Sequence, residues 1–177
     1  MKIARFAFVA ALAAQPAAAQ HGGHHSQGAP GNASPYAGQQ SREVKALSDP
    51  EVKDLLAGAG MGMAKAAELN RYPGPMHALE LADRMELSAE QRERLTALMH
   101  RHKGAARKLG ERVVALEREL DALFAAGRAT PGEVERLTLA IGEAQGRLRA
   151  DHLKTHLETT AMLTSDQVDR YVRARGY

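Results

Sequence analysis

The stretch Leu163-Thr164-Ser165-Asp166-Gln167 repeats the pattern of an earlier stretch, Leu87-Ser88-Ala89-Glu90-Gln91. In each copy a leucine precedes a hydroxyl residue, and a glutamine follows three positions later. Such a hydroxyl residue caps a helix by accepting a hydrogen bond from the third backbone amide, and the glutamine returns a hydrogen bond to the cap. Both copies therefore predict a helix start. The predicted capping residues are Leu87, Ser88 and Gln91 in the first copy and Leu163, Thr164 and Gln167 in the second.

A helical hairpin is predicted between the two copies. Its first helix runs from Ser88 to about Ala126, and its second from a capping box at 130–133 to about Ala161, with a turn at Gly127. Apolar residues recur at steps of four and three, which is typical of helices packed lengthwise. The seam residues are Leu95, Met99, His102, Ala106, Leu109, Val113, Leu116, Leu120 and Leu123 in the first helix, and Leu137, Ile141, Ala144 and Leu148 in the second.

Shorter helices are predicted on either side of this hairpin. Residues 48–51 (SDPE) form a capped start, and the helix that follows is expected to weaken in the glycine-rich segment 58–62. Residues 72–75 (YPGP) end that helix, a short helix follows from about 77 to 85, and a last helix spans about 165–174. The predicted fold is all-α, a long antiparallel hairpin with shorter flanking helices. Because aromatic residues make up only 4% of the chain, the core is expected to be thin, and we expect a homodimer.

The first nineteen residues predict a signal peptide. Lys2 and Arg5 precede the apolar run 6–14, and Ala17-Ala18-Ala19 supplies a cleavage pattern. The run is far shorter than the roughly 20 residues that a membrane span needs. We therefore expect an exported protein of a Gram-negative periplasm that does not span the membrane.

Composition narrows the function classes. The absence of cysteine excludes disulfides, a lipoprotein anchor and thiolate metal sites. The formal charge of +3 falls to about +1 without the signal peptide, which argues against a nucleic-acid partner. Residues 20–34 predict a disordered, His-rich tail, and 35–177 predict one helical domain. No serine or acidic pair is placed for catalysis, so we expect a binding protein rather than an enzyme.

Two copies of the pentapeptide in a small exported helical chain resemble the Spy/CpxP family of periplasmic proteins, over about residues 35–177. Residues 72–75 and the helix with Leu79 and Leu81 also look like the first-helix region of its metal-resistance relatives. The resemblance implies a thin, curved, cradle-like four-helix fold that dimerises. It implies either an ATP-independent chaperone or envelope-stress adaptor, or a heavy-metal sensor or resistance protein.

The chaperone interpretation places the client surface on the basic stretch 101–112. There, positive charge would speed the encounter with unfolded or partly folded periplasmic proteins, although an isolated charge run is usually a solvated helix face. The residues of this predicted surface are Arg101, Lys103, Arg107, Lys108 and Arg112.

The metal interpretation starts from His152 and His156, which stand one helical turn apart and share a face. Since a metal site usually needs four or more ligands, the first hairpin helix must supply others. A turn near residue 128 would place His156 opposite Arg101, between two further histidines. The candidate ligands for Zn²⁺, Ni²⁺, Co²⁺ or copper are His152, His156, His100, His102, Met99 and Glu158, and the tail histidines His21, His24 and His25 would capture metal loosely.

Two features of this interpretation stay open at the sequence level. Leu153 and Leu157 compete with the histidines for the inward face of their helix, so a wet helical surface would show the same pattern. Met76 and His77 could contribute ligands from the first-helix region, but we interpret them as packing residues. A metal sensor would signal to an inner-membrane protein, whereas a chaperone would bind client proteins.

Overall fold

The computed structural model describes residues 34–177. Positions 1–33 lie outside the described residues, and with them the predicted signal peptide, most of the predicted tail, and the tail histidines His21, His24 and His25. Residues 36–177 form one unit by their contacts.

Within residues 34–177 the chain forms helices and no strand, which confirms the all-α prediction. No helix in this range is long and apolar enough to cross a membrane. A 3-10 turn at Gln39–Ser41 precedes the α-helices, which are α1 (Asp49–Ala57), α2 (Lys65–Glu68), α3 (Pro75–Glu80), α4 (Ala89–Ala125), α5 (Pro131–Ala161) and α6 (Ser165–Arg175).

Helix starts fall where the capping residues predict them. Complete capping boxes occur at Ser48–Glu51, Ser88–Gln91 and Thr164–Gln167. At α5 only half of the predicted box forms, because Thr130 caps the helix while the Glu133 carboxylate pairs with Arg136.

The end of α1 agrees with the prediction, whereas the bounds of α3 differ from it. α1 ends at Ala57, where the glycine-rich segment begins, because Gly58 adopts a left-handed conformation with φ 64°. α3 begins earlier than predicted, at Pro75, and ends at Glu80. The chain then turns, and Glu86 with φ 53° redirects it into α4.

α4 and α5 pack lengthwise as the predicted hairpin. Every predicted residue of the α5 face is buried, with an exposure of 7% or less. The cross-hairpin pairs Arg136–Glu119, His102–Asp151 and Arg101–Glu158 lie within a few residues of the predicted register. On α4 the buried seam residues are Leu95, Ala106, Val113 and Leu116, and the sequence pattern missed the buried Leu98 and Val114.

The apolar core is divided into two clusters along the hairpin. One cluster joins α1 to the middle of α4 and α5, and the other joins α3, the start of α4 and α6 around Met85 and Tyr171. Between them, α5 buries three polar side chains, His152, Thr155 and Thr159. The expected competition for the inward face is therefore decided in favour of His152, since Leu157 is 55% exposed.

The two repeated pentapeptides meet through their glutamines. The Gln91 and Gln167 amides donate to each other's carbonyl oxygen at 2.8 and 2.9 Å. Each amide also donates to the backbone carbonyl that precedes the opposite motif, Met162 for Gln91 and Glu86 for Gln167. The motif therefore joins the start of α6 to the start of α4, beyond its role in capping.

Gly110 allows α1 to approach α4 closely. An added β-carbon at Gly110 would lie 2.1 Å from the Leu55 carbonyl oxygen, whereas one at Gly104 in the same helix would meet nothing within 4 Å. Of these two glycines, only Gly110 is required for the close contact between α1 and α4.

We expect Gly110→Ala to lower the free energy of unfolding by roughly 1–3 kcal/mol, because the α1 backbone must move to admit a methyl group. Gly104→Ala should instead raise it by up to about 1 kcal/mol through helix propensity. Urea unfolding followed by circular dichroism measures both. Equal effects of the two substitutions would contradict the close α1–α4 contact.

Candidate metal-binding cavity

A cavity of about 670 Å³ opens where the polar residues interrupt the apolar core. The loop 57–64 that follows α1, together with α2 and the start of α3, forms one side of it. α4 and α5 contribute His102, His152 and His156, and the C-terminal end of α6 contributes Arg175. Together with Met99 of α4, four of the predicted metal ligands therefore line a single space.

His102 and His152 lie against each other across the hairpin. Their rings meet edge to face with centroids 4.5 Å apart, and His102 Nδ1 lies 2.7 Å from an Asp151 carboxylate oxygen. His152 is 4% exposed, and its buried Nε2 has no hydrogen-bond partner. Burial, followed by the proximity of His102, lowers the pKa of His152 from 6.5 to about 4, so this imidazole is neutral at physiological pH.

The backbone of the segment 72–75, which contains the Pro-Gly-Pro sequence, holds the His156 ring in place. Its Nδ1 donates to the Tyr72 carbonyl oxygen at 2.7 Å. An added β-carbon at Gly74 would lie 2.9 Å from the His156 ring, so the ring rests directly on a backbone without a side chain. The segment 72–75 therefore positions an imidazole in addition to separating α2 from α3.

These contacts decide which ring nitrogen can bind a ligand. A carbonyl or carboxylate oxygen only accepts, so in their neutral form the rings of His102 and His156 carry the proton on Nδ1 and leave a lone pair on Nε2. Metal-bound histidines are usually oriented in this way, with the second nitrogen donating to a carbonyl or carboxylate. In the described residues no hydrogen bond occupies Nε2 of His102, His152 or His156.

Glu68 on α2 is the carboxylate of the cavity. Its Oε1 accepts from the Tyr171 hydroxyl at 2.5 Å and the Tyr177 hydroxyl at 3.1 Å. Its Oε2 is buried without a hydrogen-bond partner and lies 3.7 Å from His156 Nδ1. Burial and then the hydrogen bond to Glu68 raise the pKa of Tyr171 far above its usual value, so this hydroxyl remains a donor.

Methionines and one further histidine complete the lining. Met61, Met76, Met99 and His77 all line the cavity. Met76 is 46% exposed, which corrects its interpretation as a packing residue. Nothing in the periodicity of the sequence indicated Met61 or Glu68, because both come from non-repetitive segments whose path depends on the tertiary fold.

Two predicted ligands lie away from the cavity. His100 is exposed and is not part of the lining, and Glu158 pairs with Arg101 at 3.3 Å. In the basic stretch, Arg107 lies against the α1 carboxyl end through the Ala57 carbonyl, and Lys103 lines the cavity. Lys108 and Arg112 are exposed.

The donors suit a transition metal by type, although they are not preassembled. Within residues 34–177, no three His, Cys, Asp or Glu side chains converge closely enough to hold a metal ion. Imidazole nitrogen and thioether sulfur are nevertheless ligands for transition metals, and two buried donor atoms, His152 Nε2 and Glu68 Oε2, have no hydrogen-bond partner. Coordination would therefore require these side chains to turn toward a common centre.

The fold and cavity together define a class, a helical-hairpin protein with an imidazole- and thioether-lined cavity. The model of the heavy-metal resistance family matches residues 55–170. The chain belongs to this family, part of the Spy/CpxP-like group of heavy-metal resistance proteins that are typically periplasmic, and the resemblance carried by the two pentapeptides is confirmed. Searches of curated proteins and of solved structures found no significant match.

We expect the metal-free protein to lose stability as the pH falls from about 6.5 toward 4. In this interval the unfolded chain binds a proton at His152 that the folded chain, with a His152 pKa of about 4, does not. The stabilisation is therefore complete above the unfolded pKa, and it amounts to at most about 3 kcal/mol. The titratable groups that face His152 are His102, Asp151 and His156.

Urea unfolding in a chelator, between about pH 7.5 and about pH 5, measures this slope. His152→Gln should flatten it, whereas the exposed control His100→Gln should keep it. The buried Glu117, whose pKa is raised by burial, acts in the opposite direction in both variants and cancels from the comparison. Identical slopes for the two variants would exclude His152 as the titrating group.

Proposed function

We propose that this chain is a periplasmic heavy-metal-binding protein that acts by binding rather than by catalysis, with the metal held in the cavity. One observation carries the proposal. Three histidines from the two hairpin helices line one cavity with Nε2 uncommitted, and two of them are held at Nδ1 by a carbonyl or a carboxylate. Family membership supports the same function.

Burying the His152 imidazole lowers the stability of the fold unless its Nε2 binds a ligand. A buried polar atom without a partner costs about 1–3 kcal/mol, and a leucine would continue the apolar face formed by Leu137, Ile141, Ala144 and Leu148. Stability alone would therefore favour a leucine at this position. A metal bound at Nε2 would supply the missing partner.

A complete coordination shell can be assembled from the lining. His102, His152 and His156 would provide three nitrogens, and Glu68 or His77 would provide a fourth donor. A transition metal bound there would be held by these donors and removed from the exchangeable pool. Such removal is the chemistry that heavy-metal resistance by binding requires.

We expect calorimetric titration to detect metal binding that depends on the cavity histidines. With His21, His24 and His25 changed to serine, the chain should still bind Zn²⁺, Ni²⁺, Co²⁺ or Cu²⁺ stoichiometrically. His102→Gln and His152→Gln should each weaken binding by at least about 10-fold, the usual scale for disturbing a metal site.

His100→Gln is the matched control, because His100 stands two positions from His102 yet lies outside the cavity lining. It should bind metal as the parent chain does. Binding that survives the His102 and His152 substitutions, or is lost with His100→Gln, would place the metal elsewhere and overturn the proposed site.

A chaperone remains a second candidate function, favoured by the exposed surface. Lys103, Lys108 and Arg112 have no acidic partner in the described part of the chain, so they stay available for acidic clients. Large apolar side chains are exposed as well, with Leu139 at 68% and Phe124 at 58%. Such a surface suits loose binding of partly unfolded proteins without ATP.

We expect a chaperone to slow the aggregation of a reduced client protein in the presence of a chelator. Changing Lys103, Lys108 and Arg112 to glutamine should weaken this effect severalfold, because steering by charge is lost. Changing Arg128, Arg149 and Lys154, which are exposed as well, to glutamine is the matched control. No effect of the parent chain on light scattering would exclude this second function.

A further inference from the structure

The methionines divide into two groups according to the cavity. Among the six methionines in the described residues, Met63, Met85 and Met162 pack within or against the apolar clusters. The other three, Met61, Met76 and Met99, line the cavity. Every methionine that the core does not use is therefore placed with its thioether at the same space as the histidines.

The position of Met61 is difficult to explain by packing. It has a left-handed backbone with φ 47°, a conformation that is strained for a residue with a side chain. Its side chain is 40% exposed, so core burial does not compensate for that strain. The residues on either side, at positions 60 and 62, are glycines, and a glycine at position 61 would adopt this conformation more easily than methionine does. A methionine at this position supplies a thioether to the cavity that a glycine would not.

The charges of the lining favour a cation of low charge. The ionised side chains are three cations, Lys65, Lys103 and Arg175, and one anion, Glu68. The anion is already paired, since Arg175 Nε lies 3.4 Å from the Glu68 carboxylate. Repulsion from the lining scales with the charge of the incoming ion, so it is half as large for a monovalent as for a divalent cation.

We infer that the cavity selects a soft monovalent d¹⁰ cation, Cu⁺ or its redox-inert analogue Ag⁺, through Met61, Met76 and Met99 together with the cavity histidines. Thioether sulfur is a soft, neutral ligand that favours Cu⁺ over harder divalent ions. This inference rests on the proposed function of the cavity and specifies the class of metal. Neutral donors in a positively charged lining are the combination that separates this class from Zn²⁺, Ni²⁺ and Co²⁺.

The test replaces the three thioethers without changing the shape of the cavity. Leucine has nearly the volume of methionine, so the variant Met61→Leu/Met76→Leu/Met99→Leu should fold. The control is Met63→Leu, two positions from Met61 in the same loop but packed against the core. Both are made in the full chain with His21, His24 and His25 changed to serine, and circular dichroism verifies their folding.

Silver nitrate in chloride-free buffer is the first probe, and Cu⁺ competed against bicinchoninate under a reductant is the second. We expect one Ag⁺ per chain, bound at least about 100-fold more weakly by the triple variant and unchanged by Met63→Leu. Zinc affinity should be the same in all three proteins. Methyl NMR of the methionines should shift the signals of Met61, Met76 and Met99 on Ag⁺ addition and leave that of Met85 in place.

Other outcomes separate this inference from the proposed function. Zinc, nickel or cobalt binding that depends on His102 and His152, with Ag⁺ affinity unaffected by the triple variant, would overturn the inference and leave the proposed function standing. Absence of binding by every metal, Ag⁺ and Cu⁺ included, would overturn both. Ag⁺ binding lost equally in Met63→Leu would also overturn the inference, because it would show damage to the loop rather than loss of ligands.

Discussion

The reciprocal hydrogen bonds between Gln91 and Gln167 are the constraint on which the remaining geometry depends. Each side-chain amide uses all four of its hydrogen-bonding positions: the oxygen accepts from its own helix cap and from the opposite amide, and the nitrogen donates to the opposite amide and to a backbone carbonyl. Two packed helices can otherwise slide by a turn. Because α6 follows α5 directly, tying its start to that of α4 fixes the register in which the hairpin closes, and that register brings His102 against Asp151 and His152.

Local patterns were enough to predict most of the fold. Capping residues located the starts of α1, α4, α5 and α6, and the spacing of apolar residues identified the buried face of α5. The contact between the two pentapeptides was not predictable in this way, since each glutamine already has a local role in its capping box. The close approach of α1 at Gly110 was also beyond local reasoning, because it depends on where another helix crosses.

The candidate site was predicted in part, for a related reason. His102, His152, His156 and Met99 lie on the hairpin helices, where periodicity and register are informative, and all four line the cavity. His100 and Glu158 do not line the cavity, because a change of one or two positions on a helix turns a side chain to another face. Glu68, Met61 and Met76 come from short or irregular segments, which carry no periodic signal. The polar side of such a cavity becomes predictable only once the path of these segments is known.

The division of the core into two apolar clusters has a consequence for how the protein unfolds. The clusters are separated along α5 by His152, Thr155 and Thr159, whose polar groups gain little from burial. Cooperativity between the halves must then be transmitted through the long helices α4 and α5 and through the few side chains that border the cavity. An ion coordinated by side chains of both hairpin helices and of α2 would crosslink the two clusters where the apolar contacts between them are interrupted. The two clusters would then unfold together rather than separately. Binding of an ion in the cavity would thus increase the cooperativity of unfolding of the chain rather than change its shape.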